Sequence, residues 1–151
     1  DRKATRFLGT TFSEGKAVFS PDARWIAYIS NASSQNEVYV RDFPSSGGQW
    51  KVSTSGGTRP RWSPDGKELL YNSPNAELVA VDLTGTSPGN QFKSGPPQPL
   101  SRGLVGGTTI RNNFDVIKGN NQQFLVLASQ TETRGTPPIV VILNWASGLS
   151  P

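Results

Sequence analysis

A ten-residue pattern occurs twice in this chain, and its spacing limits the available folds more than any other feature. Phe19-Ser20-Pro21-Asp22-Ala23-Arg24-Trp25-Ile26-Ala27-Tyr28 aligns with Trp62-Ser63-Pro64-Asp65-Gly66-Lys67-Glu68-Leu69-Leu70-Tyr71, 43 residues later. A second match follows each copy, Glu37-Val38-Tyr39-Val40-Arg41-Asp42 against Glu77-Leu78-Val79-Ala80-Val81-Asp82. Within each copy, β-branched and aromatic residues alternate with polar ones in short runs between turn residues, which is how strands read. Four strands in a period of roughly 40–45 residues is the signature of a propeller blade.

The pattern sets the expected strands. First strands fall at residues 17–20 and 59–63, second strands at 25–30 and 68–72, and third strands at 37–42 and 77–82. Fourth strands follow at 49–53 and 98–101. The Ser-Pro-Asp-Gly tetrad makes the hairpin between first and second strands. Pro presets φ, Asp bonds its own backbone, and Gly accepts a positive φ. Ala23 stands where that Gly belongs in the first copy, so the turn either strains or changes type. A third, degraded copy has strands at Phe114-Asp115-Val116, residues 123–128 and residues 139–145, with Lys118-Gly119-Asn120-Asn121 as its turn.

The expected fold class is therefore all-β: a β-propeller of four-stranded antiparallel blades, about three of them, half of a six-bladed ring. Residues 1–10 would supply the fourth strand of a neighbouring blade. Residues 16–53 and 58–102 make two blades, and 111–146 a three-stranded one. Propellers typically close with four to eight blades, so the open ends need covering. Either a second copy closes the ring as a homodimer, or further blades lie in a longer parent chain. The start at Asp1 without Met reads as a processed or excised chain.

Composition narrows the chemistry. The 16 Gly and 12 Pro suit many tight turns. With no Cys and no His, thiol chemistry, the usual zinc ligands and the commonest general base are all missing. No cofactor is expected. The net charge of +4 comes from scattered residues, without the stripe that a nucleic-acid partner requires. No apolar run approaches the ~18 residues of a membrane span. Asp22, Asp65, Asp42 and Asp82 recur with the blade, so structural roles are expected rather than a catalytic carboxylate pair. Trp62, Trp25 and Trp50 are expected in packing, and Trp145 at the end of the last strand.

The repeat resembles the TolB-type propeller repeat, related to blades in prolyl oligopeptidase-like enzymes. Trp25-Ile26-Ala27-Tyr28-Ile29-Ser30-Asn31, Val38-Tyr39-Val40-Arg41-Asp42-Phe43-Pro44, Gly47-Gly48-Gln49-Trp50-Lys51-Val52-Ser53 and Val141-Ile142-Leu143-Asn144-Trp145 are similar to the C-terminal propellers of bacterial membrane-anchored serine/threonine protein kinases. That resemblance implies a non-catalytic, extracytoplasmic sensor module binding a protein or ligand. The oligopeptidase resemblance implies an accessory gating propeller, and a third reading is a half-propeller that only assembles. The chain has neither a Gly-rich phosphate loop nor a His-Arg-Asp motif. It also has no Gly-x-Ser-x-Gly elbow.

The candidate binding residues come from the repeat register. Lys16, Arg59 and Asn113 are equivalent at the entry to the first strands, with Arg61 and Arg111 close by. In a propeller these positions ring one mouth of the central channel. Cations there suit a carboxylate or another anionic group, and Arg offers a planar fork.

Overall fold

A computed structural model describes residues 6–44, 47–83, 92–101, 114–117, 123–127 and 139–142. Eleven strands fall in these segments: β1 (Glu14–Phe19), β2 (Trp25–Ser30), β3 (Glu37–Asp42), β4 (Gln49–Lys51), β5 (Thr58–Trp62), β6 (Glu68–Asn72), β7 (Leu78–Asp82), β8 (Gln98–Ser101), β9 (Phe114–Ile117), β10 (Gln123–Leu127) and β11 (Ile139–Ile142). They form three antiparallel sheets in chain order, β1-β2-β3-β4, β5-β6-β7-β8 and β9-β10-β11. These are propeller blades, here blades 1, 2 and 3. The first strands adjoin one another, β1 against β5 and β5 against β9.

Alternation assigns the faces. Trp25, Ala27, Val38 and Val40 of blade 1 meet Trp62, Leu69, Tyr71, Val79 and Val81 of blade 2 in one core. The other face of blade 2, through Leu70, Leu78 and Ala80, meets Phe114 of blade 3. Blade 2 is thus covered on both faces, and every residue of β6 is buried. A sheet buried on both sides reads as a continuous apolar run, as Leu69-Leu70-Tyr71 does.

In blades 1 and 2, two strand bounds differ from the expectation by more than one residue. β1 begins at Glu14 instead of residue 17, because its ladder continues past a bulge. β4 stops at Lys51 because Ser53 leaves the ladder to bond Glu37 and Val38. Residues 6–10 form no strand. Residues 1–5 of that expected strand lie outside the described residues. The Lys118–Asn121 turn and Trp145 lie outside the described residues.

Candidate functional site

The Ser-Pro-Asp hairpins carry carboxylates, so their chemistry comes first. Ser20 donates its hydroxyl to Asp22 Oδ1 at 2.6 Å and accepts the Trp25 N–H at 3.0 Å. Asp22 Oδ1 also accepts the Arg24 N–H at 3.1 Å. The second copy repeats this: Ser63 to Asp65 at 2.7 Å, Glu68 N–H to Ser63 at 2.9 Å, Lys67 N–H to Asp65 at 3.1 Å. Burial alone would raise both carboxyl pKa values. The serine hydroxyls, the backbone N–H groups and the adjacent cations together outweigh it, holding both below the ordinary value of 3.8. The carboxylates are built into the turns. Between the hairpins lies a cleft of about 90 Å³ that Trp25 and Trp62 also line, well short of the ~300 Å³ of an ordinary ligand pocket.

The first strands hold a different arrangement. In β1, Gly15 faces Ile29 and Val18 faces Ala27, so Lys16 and Ala17 together oppose Tyr28. In β5, Thr58 faces Asn72 and Arg61 faces Leu70, so Arg59 and Pro60 oppose Tyr71. Each is a β-bulge with two residues against one. Lys16 and Arg59 both have φ of 54°, the left-handed region that costs a non-glycine residue roughly 1–2 kcal/mol. The same strained bulge therefore carries a long cation in two adjacent blades. Bulges re-aim side chains and cluster beside functional sites. Opposite each bulge stands a buried tyrosine, 3% exposed in both cases. Burial raises the Tyr28 pKa, and burial together with the nearby Glu37 charge pushes Tyr71 up to about 12.

Lys16 is exposed and Arg59 half-buried. Arg61 is half-buried too, its guanidinium donating to the Pro60 carbonyl at 3.4 Å. Arg111 and Asn113 lie outside the described residues. Lys16 and Arg59 are therefore brought to matching places on neighbouring strands.

Alternation alone did not single out Glu37. It opens β3 at 1% exposure. Its carboxylate accepts from the Ser53 hydroxyl, from Gln35 at 2.8 Å and from the Gly56 N–H at 3.0 Å. Lys51 stands 3.8 Å away. Glu37 thus ties the β2–β3 loop to the segment that carries the chain into blade 2. The signal available in the sequence was its recurrence as Glu77, which in blade 2 meets Ser73 at 3.4 Å.

No protein-family model matches the chain, and no curated protein matches it. Among solved structures the chain is similar to TolB from Acinetobacter baumannii, with a TM-score of 0.59 and 20% identity. The match covers 89% of this chain and 31% of that one, so this chain spans about a third of TolB's length. At that identity the likeness is one of fold: a TolB-like β-propeller, of which this chain forms an arc of about three blades.

Proposed function

We propose that the chain is a non-catalytic binding module that holds an anionic group of a protein, peptide or sugar at the end where its first strands enter. The observation that carries this reading is the repeated bulge: Lys16 and Arg59 share one strained conformation at one place in two blades. Glycine would fit that conformation without the steric penalty, so the backbone conformation by itself does not call for a cation there. Asn113 extends the same set by register, with Arg61 and Arg111 close by. The resemblance of the repeats to kinase propellers supports a setting as the extracytoplasmic sensor region of a bacterial serine/threonine kinase. In the parent gene, an upstream kinase domain and membrane span support that setting, and a downstream α/β-hydrolase domain supports peptidase gating instead.

The test uses a hexaglutamate peptide as probe. Lys16→Gly and Arg59→Gly should each weaken its binding by about tenfold, in line with loss of one charge-assisted contact, and the change at exposed Lys16 should do so without loss of thermal stability. Equal affinity in the parent protein and both variants would overturn the site.

A further inference from the structure

Lys93-Ser94-Gly95-Pro96-Pro97-Gln98-Pro99 spaces a cation and two prolines three residues apart. Each proline fixes its own φ and holds the residue before it in extended backbone. Residues 95–99 are therefore confined to the extended and polyproline II region. Polyproline II has three residues per turn, which puts Lys93, Pro96 and Pro99 on one face.

The fold leaves that face open. Phe92 anchors the start of the segment, 4% exposed, with its ring 5.4 Å from Trp25 and 5.5 Å from Trp50. The Gly95 N–H donates to the Asp82 carbonyl at 2.8 Å. Gln98 and Pro99 then pair with Ala80 and Val79 as part of β8. Between and beside these anchors Lys93, Pro96 and Pro99 are exposed, while Gly95, Pro97 and Gln98 are half-buried. In blade 2, β5 meets the neighbouring blades and β8 is the strand farthest from it. Blade 2 has a neighbour on each face, so this edge is its outer rim whatever the number of blades.

Prolines also guard a strand edge against pairing. Edge protection accounts for neither the cation nor its spacing. β4, at the same place in blade 1, is Gln49-Trp50-Lys51 and has no proline.

We propose that this rim segment is itself a ligand, for a protein domain whose groove is lined by aromatic rings and ends in an acidic residue. Pro96 and Pro99 seat between the rings, and Lys93 meets the acidic end. The segment is already extended and tethered on both sides, so little chain freedom is lost on binding.

Calorimetric titration of the chain into a Src-homology 3 domain selected on Lys-x-x-Pro-x-x-Pro peptides tests this. The chain should bind one to one. Lys93→Glu should weaken binding about tenfold or more, since it removes and reverses a charge-assisted contact. Pro96→Ala and Pro99→Ala should each weaken it about fivefold or more, through lost contact and a looser chain. Pro97→Ala, on the half-buried side, should cost less than either. Lys67→Glu makes the same charge change at an exposed residue of another loop and should leave binding unchanged. Circular dichroism must show the parent strand signal in each variant, and the Lys93 and Lys67 pair carries the test if a proline variant does not fold. No binding by the parent chain, binding indifferent to Lys93→Glu or to both exposed-proline changes, or an equal loss with Lys67→Glu or Pro97→Ala would overturn the proposal. None of these outcomes bears on hexaglutamate binding at Lys16 and Arg59.

Discussion

Backbone conformation in this protein belongs to the position before it belongs to the residue. Ala23 has φ of 55° and Gly66, its counterpart, 73°. The hairpin kept its shape and Ala23 took the strain. Ala23→Gly should therefore stabilise the fold by up to ~1 kcal/mol, the relieved left-handed penalty less the entropy that glycine loses on folding. Gly66→Ala should cost about as much, both read from urea unfolding midpoints. Glu37 makes a sharper case. Its carboxylate is buried against two side-chain donors and a backbone N–H. Glu37→Ala leaves those donors unanswered and should destabilise by about 2–3 kcal/mol or more.

At the scale of elements, blade contacts rest on a few close approaches. Trp62 fills the junction of blades 1 and 2, and Trp62→Ala should cost about 3–5 kcal/mol. Trp62→Phe removes chiefly the bond to the Val18 carbonyl, about 1 kcal/mol. Gly57 lies in the same junction. A Cβ there would stand 2.9 Å from both Tyr71 and Val38 and 3.0 Å from Ser53. Gly57→Ala should therefore force the blades apart at about 1–3 kcal/mol. The titrating groups of these elements set two pH limits. Asp22 and Asp65 have folded pKa values below 3.8. Their contribution is present above that value and fades as pH falls through the lower folded pKa. Tyr71 is raised from 10.0 to about 12. Its contribution holds below pH 10 and is lost as pH climbs from there toward 12. A pH series of thermal midpoints should thus fall off in strong acid and again above pH 10, and Tyr71→Phe should flatten the alkaline limb.

For the whole molecule, salt tests the electrostatic part of the proposed site. The chain carries a net charge of +4, which adds a long-range attraction for an anionic probe. Raising salt from about 0.01 to 0.15 M shortens the screening length from ~30 to ~8 Å. Hexaglutamate binding at Lys16 and Arg59 should weaken over that range, and a fluorescence titration at the two salt concentrations reads the change.

Much of this architecture was legible in the sequence because the repeat printed it twice. The second and third strands of both full blades fell where alternation put them, and the hairpin bonds of Asp22 and Asp65 follow from the tetrad. Chain order and the 43-residue period were enough to align Lys16 with Arg59. Three things needed the tertiary structure. The strained bulge appears only when β1 pairs with β2, since it is a mismatch between two strands. The burial of Glu37 depends on the chain returning through Ser53 and Gly56, contacts 16 and 19 residues away. The difference between Trp62 and Phe19 is invisible in their equivalent positions. Among the described residues one ring is 8% exposed and the other 55%, and coverage is a property of neighbours in space.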